Sequence, residues 1–173
     1  MLRKQVYVLA GMTLAVAVLA LLWVRGSQHL SLPLPDGDDF AARLAFAVRW
    51  LALPGFSLAA GVAVAANRRF FLPDAIDGTR TPQSRSLEIN LRYNQNTLEQ
   101  TVLAAIAWTG LALALPHERL ALIPMLAIVF VVARALFWIG YLIAPWARAL
   151  GFALTFYPTV AAFIWLAARA LAP

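Results

Sequence analysis

The chain has 173 residues, of which 62% are hydrophobic and 13% charged, well above the roughly 45–50% apolar content of soluble domains. Its net charge is +6 and it contains no cysteine, so disulfides, thiolate metal ligands and a cysteine nucleophile are excluded. The apolar residues fall into five runs, each long enough to cross a hydrocarbon layer of about 30 Å as a helix, which excludes a water-soluble globule.

The first run is Val6 to Val24, preceded by Arg3 and Lys4. It exceeds the usual signal-peptide core of about 7 to 15 residues, and Leu22-Trp23-Val24-Arg25 is a poor cleavage site, so a retained helix is expected. The second run, Leu44 to Ala66, carries Arg49 and a crowd of small residues from Ala59 to Ala66 that permits close helix contact. A long polar connection from Asn67 to Asn96 follows, punctuated by Pro73, Gly78 and Pro82. Helical patterning resumes near Ser86 and leads into the third run, Leu98 to Leu115. Pro116-His117-Glu118-Arg119 is a tight turn that predicts an antiparallel hairpin with the fourth run, Leu120 to Ala144. The fifth run is Ala149 to Ala168. Backbone in lipid must satisfy its own hydrogen bonds, and no run alternates as a barrel strand would, so all five are predicted helices. The fold class is an all-α polytopic membrane bundle. His29 and His117 sit in connections without a ligand set around them, and no metal site is expected.

Charge placement predicts orientation. Arg3, Lys4, Arg68, Arg69, Arg80, Arg85, Arg92 and Arg148 share one side, and the other holds Arg25, Arg43, Arg119 and Arg169 with Asp36, Asp38, Asp39 and Glu118. Excess Lys and Arg mark the cytoplasmic side, so the N-terminus is expected in the cytoplasm, as in a multi-pass protein of a bacterial inner membrane. Anionic lipid headgroups account for the basic side without a nucleic-acid partner.

Polar residues within the helices point to a site. Glu88, Arg92, Asn96 and Glu99 are four, four and three residues apart and share a face of the third helix. The fourth helix adds Arg134 and Tyr141, seven apart, and Arg148 follows beyond Pro145. Arg134 lies about 15 Å from the nearer helix end at 1.5 Å per residue, a depth at which arginine faces a partner or a wet cavity. Arg49 lies nearer the opposite surface and can snorkel. Arginine forks pair with carboxylates, Glu99 suits an ammonium group, and Asn96 both donates and accepts. A ligand with two carboxylates, an amine and several amides matches this set, and glutathione is one. An arginine beside its sulfur favours thiolate; Arg148 is the leading candidate, with Tyr141 orienting the sulfur.

The stretch Glu88-Ile89-Asn90-Leu91-Arg92-Tyr93-Asn94-Gln95-Asn96-Thr97-Leu98-Glu99, with Ala133-Arg134 through Gly140-Tyr141 and Arg148-Ala149-Leu150-Gly151-Phe152, resembles the MAPEG family, the membrane-associated proteins of eicosanoid and glutathione metabolism. The resemblance covers about residues 44 to 171. It implies a four-helix subunit over 43–173 assembled as a homotrimer, with residues 1–42 forming an added transmembrane helix and loop. It also implies glutathione as cosubstrate between subunits, contacts from Arg92, Asn96, Glu99, Arg134 and Tyr141, a basic contact from Arg68 or Arg69, and thiolate stabilisation by Arg148. Phe137 stands where eicosanoid-forming members have tyrosine, and Gln100 replaces another. Three functions follow as expectations: a glutathione-dependent transferase or peroxidase acting on a lipophilic small molecule, a non-catalytic lipid-binding or scaffold protein, and a small transporter or assembly partner.

Overall fold

The computed structural model describes residues 2–29, 32–72 and 84–172, with residues 23 and 25–29 described by their backbone alone. Pro73, Gly78, Arg80 and Pro82, and the side chains of Arg25 and His29, lie outside the described residues. Five helices account for most of the chain: α1 Leu2–His29, α2 Phe40–Phe70, α3 Arg85–Ala114, α4 Leu122–Ile143 and α5 Ala149–Leu171. A short 3-10 turn, His117–Arg119, joins α3 to α4. All five helices are long and apolar enough to span a membrane, and the protein is an integral, multi-pass membrane protein.

The bundle encloses polar side chains within a mainly apolar core and shows apolar ones on its outside. Asn90, Thr97, Gln100, Arg134, Thr155 and Thr159 are buried, whereas Val48, Phe56, Val102, Ile106, Ile128, Val132 and Ile164 are exposed. That distribution suits lipid, which solvates apolar side chains as well as a protein core does and leaves polar groups to find partners between helices.

Hydrogen bonds set the antiparallel register of α2 and α3 along their whole length. Arg43 Nη1 donates to the carbonyls of Ala112 and Leu115 at one end, and Arg68 Nη1 donates to the carbonyl of Ser86 at the other. Between them Tyr93 Oη donates to Ser57 O at 3.0 Å and Asn90 Nδ2 to Gly61 O at 2.8 Å. The helices are close here because Gly61 lacks a side chain; a Cβ there would lie 2.2 Å from Asn94 Oδ1. α4 packs on α2, α3 and α5, and α5 packs on α3, so α2 to α5 form the core. Its α4–α5 seam is closed by backbone instead of side chains: a Cβ at Gly151 would meet Ala133 O and Phe137 N, each 2.4 Å away.

α1 is peripheral. Its packing is on α5, where Gly11 approaches Leu150 and Ala15 is buried among Ala133, Ala153 and Leu154. Most of its other side chains are exposed. Its start carries Arg3 and Lys4 to the end of the bundle that also holds Arg68, Arg69, Arg85, Arg92 and Arg148, hereafter the basic end; Lys4 Nζ lies 5.4 Å from the Trp146 ring centroid.

At the far end Asp39 caps α2, its Oδ1 accepting from Ala41 N and Ala42 N at 2.9 and 3.0 Å. Asp38 Oδ1 accepts from Arg43 Nε and Nη2 and contacts His117 Nδ1 at 3.1 Å. The connection before α2 is thereby tied to the α3–α4 turn through His117, whose side chain remains partly exposed. Hydrogen bonding from Arg43, and then His117, holds the Asp38 carboxyl below its usual range.

Two outcomes follow from this packing. Gly151→Ala should destabilise the protein by about 1–3 kcal/mol, the range for overpacking, and by more than Gly61→Ala, whose obstacles are side chains able to move; thermal unfolding in detergent measures both. For Asp38 the stabilisation is complete above its unfolded value of about 3.9 and is lost as pH falls through the lowered folded value. The melting difference between wild type and Asp38→Asn should therefore hold near neutrality and shrink below about pH 4.

Candidate functional site

Arg134 is 1% exposed. Its Nη1 donates to Asn96 Oδ1 at 2.8 Å, and its Nη2 donates to Gly151 O at 3.0 Å and Thr155 Oγ1 at 2.8 Å. The guanidinium carbon lies 4.6 Å from the Phe137 ring centroid and 5.7 Å from that of Phe130, so ring faces supply part of the attraction a counter-ion would give. Among the described residues no carboxylate is within ion-pair distance of it, and its Nε has no partner.

This arrangement fixes the chemistry of Asn96. Arginine can only donate, so the amide oxygen must face Arg134 and the two Nδ2 hydrogens remain available elsewhere. Asn96 is half-exposed, and it is the surface through which the buried cation is felt.

Arg148 precedes α5 and is half-buried. Its guanidinium carbon lies 4.6 Å from the Tyr141 ring centroid and 5.9 Å from that of Phe137, and the two rings meet edge to face. Arg92 reaches the same place from α3: Glu88 Oε1 accepts from its Nε and Nη2 at 3.1 and 2.7 Å, and its guanidinium is within interaction range of the Tyr141 hydroxyl. Arg92, Arg134 and Arg148 thus converge from three helices around Phe137 and Tyr141, with Glu88 as the one carboxylate paired to any of them among the described residues.

The charged set of α3 divides between two faces. Asn96 turns toward Arg134, while Glu88, Arg92, Gln95 and Glu99 form an exposed stripe closed by bonds along the helix, including Gln95 Nε2 to Glu99 Oε1 at 2.9 Å. Thr155, six residues beyond the start of α5, lies about 9 Å along it at 1.5 Å per residue. Asn96 shares that level through Arg134, and Glu99 is a further turn along α3. An exposed carboxylate roughly 10 Å within the spanning layer is costly against lipid. Arg68 and Arg69 end α2 on the same side of the bundle, Arg68 tied to Ser86. Arg49 is exposed on α2.

Several contributors are absent from the sequence expectation. Thr155 and Gly151 supply acceptors for Arg134, and their spacing of four, one face of α5, is the signal that could have paired them with a buried arginine. Tyr93 stacks on Trp138 with centroids 4.4 Å apart. Gln100 is 3% exposed and Phe137 2% exposed, so both positions where phenols were expected face the interior.

A family model described as the MAPEG family matches residues 44–168, well over half of the chain, and the chain belongs to that family. The match begins after α1, which is therefore an N-terminal addition to a four-helix MAPEG core. The chain is also similar to Transmembrane protein 79 of Mus musculus, 28% identical over 81 residues, covering 47% of this chain and 21% of that protein. The likeness to Transmembrane protein 79 of Bos taurus is 27% over 81 residues, covering 47% and 20%. The chain thus spans about a fifth of the length of these relatives. No solved structure matches.

The Arg134–Asn96 bond can be tested by paired substitutions. Asn96→Leu leaves a buried cation short of an acceptor and should cost about 1.5–3 kcal/mol, the worth of a hydrogen bond to a charged group. Asn96→Asp supplies a counter-ion and should retain wild-type stability in the same unfolding assay.

Proposed function

We propose that the chain is a glutathione-dependent transferase or peroxidase acting on lipophilic electrophiles. The observation that carries this is the convergence of Arg92, Arg134 and Arg148 around Tyr141 and Phe137 at the basic end, with positive charge in excess. Membership of a family with both enzymatic and non-enzymatic members supports it.

The donor set fits glutathione. Arg92 is exposed and its planar fork suits a carboxylate, Asn96 presents two amide hydrogens, and Glu99 has a second oxygen free for an ammonium group. Arg68 or Arg69 adds a basic contact at the end of α2. Glutathione supplies a thiol nucleophile that a cysteine-free chain lacks. Arg148 favours the thiolate by Coulomb attraction, more strongly where solvent is scarce, and Tyr141 lies under it to orient the sulfur. Arg134 acts through Asn96, fixing its amide and placing charge behind it. The site lies where α5 begins, at the boundary between water and hydrocarbon, so a polar cosubstrate and a lipophilic electrophile can meet there and gain rate from proximity. The cost of exposing Glu99 to lipid supports a second copy covering the α3 stripe, in keeping with the trimer the family implies. The basic end then faces the cytoplasm.

A non-catalytic lipid-binding or scaffold role is the second reading. It is favoured by the intramolecular pairing of Arg134, Arg92 and Glu99 with Asn96, Glu88 and Gln95. Purified protein mixed with glutathione should develop the ultraviolet band of a thiolate and conjugate a lipophilic electrophile or reduce a lipid peroxide. Arg148→Ala should lower the thiolate about tenfold at fixed pH, one pKa unit or about 1.4 kcal/mol, with unchanged melting temperature. Glutathione bound without thiolate, and no turnover across broad substrates, would establish the second reading instead.

A further inference from the structure

At the far end, opposite the arginine cluster, the first turn of α2, the last turn of α3 and the end of α5 enclose an open cleft of about 540 Å³. Phe40, Leu113 and Pro116 give it apolar walls, and Asp38, Arg43 and Arg169 give it charge. All three charged residues fall outside the family match of 44–168, whereas Leu113 and Pro116 fall inside it, so the charge of the cleft is added to walls that the core partly supplies.

The two arginines differ in what they have left to offer. Arg43 is 12% exposed and immobilised: Nε is used on Asp38, Nη1 on the carbonyls of Ala112 and Leu115, and Nη2 once on Asp38. One Nη2 hydrogen is left over. Arg169 is exposed, with its guanidinium carbon 5.5 Å from the Trp165 ring centroid, and among the described residues no carboxylate pairs with it. Asp38 offsets Arg43, so the described lining of the cleft carries one net positive charge. Phe40 and Leu113 are 66% and 40% exposed, which continues the apolar walls onto the lipid-facing surface. The cleft lies at helix ends, the level of headgroups, where indole and guanidinium side chains are both at home.

We infer that this cleft binds the headgroup of one phospholipid. Its phosphodiester sits on Arg169 and the spare Arg43 hydrogen, and its glycerol and upper acyl chain lie along Phe40 and Leu113. A phosphodiester carries a single negative charge and balances the single net positive charge, whereas a phosphomonoester dianion would meet repulsion from Asp38. The apolar walls require an amphiphile, and the volume falls within the range of about 300–1,000 Å³ usual for ligand sites.

The experiment is native mass spectrometry of the detergent-solubilised full chain with phosphatidylglycerol, with uncharged diacylglycerol and with soluble glycerol phosphate. Wild type should retain one more phosphatidylglycerol than Arg169→Gln and should bind it at least tenfold more tightly. Leu113→Trp fills the cleft without changing its charge and should lose the same lipid. Both variants should elute as wild type does, since both positions are exposed. Diacylglycerol should not bind there, and glycerol phosphate should not compete. Equal lipid retention by wild type and both variants overturns the proposal. Full competition by glycerol phosphate also overturns it, by making the site one for free phosphate. So does a change of oligomeric mass in Leu113→Trp with lipid retention unchanged, because the cleft would then seat a second copy.

Discussion

A buried guanidinium with no carboxylate beside it among the described residues is the constraint around which the core is organised. Removing an arginine from water costs several kcal/mol even after relaxation, and the cost can be met only by acceptors already positioned. In this bundle they come from three directions: a side-chain amide on α3, a hydroxyl on α5 and a backbone carbonyl on α5. The carbonyl is the demanding one, because helical carbonyls are normally engaged along their own helix. Gly151 brings α5 close enough to α4 for its oxygen to serve Arg134 as well. The same absence of a side chain that lets the helices touch therefore also solvates the cation. Packing and electrostatics are one problem at this seam.

The second consequence falls on α3. Satisfying Arg134 requires Asn96 to turn inward, and helical geometry then commits its neighbours. Tyr93, Thr97 and Gln100 join Asn96 toward the bundle, and Glu88, Arg92, Gln95 and Glu99 are left on the exposed side. A polar stripe on the outside of a membrane helix is unstable against lipid, so it either leaves the hydrocarbon layer or is covered. The beginning of the stripe leaves the layer, because α3 starts before the hydrophobic span does. Glu99 does not leave it, and there Gln95 Nε2 donates to one of its two oxygens.

Much of the architecture was present in the pattern of apolar runs. The start of α3 near Ser86, the tight turn after Leu115 and the burial of Arg134 all follow from hydropathy and from the cost of charge in lipid. What escaped is relational. Spacing puts Glu88, Arg92, Asn96 and Glu99 within one broad face, but only the direction of Arg134 shows that Asn96 lies at its edge and turns the other way. Arg43 reads as one more cation on the acidic side. Its service to the last carbonyls of α3 depends on a contact between residues far apart in sequence. Thr155 resembles any small hydroxyl residue until a donor is placed opposite it.

The two ends of the bundle differ in kind. The arginine cluster of the basic end, Arg92, Arg134 and Arg148, lies within the family match, with Arg134 held by hydrogen bonds deep in the core. The charges of the far-end cleft, Asp38, Arg43 and Arg169, flank that match, and Asp38 lies in the connection before α2. A helix that merely added bulk could pack anywhere on the surface. α1 instead fits its small residues Gly11 and Ala15 against α5 and delivers the chain to the far end beside the α3–α4 turn. There Asp38 can hold both Arg43 and His117. Asp38, next to the Asp39 cap of α2, thus immobilises Arg43 and shapes the far-end surface, and α1 joins the bundle through its packing on α5.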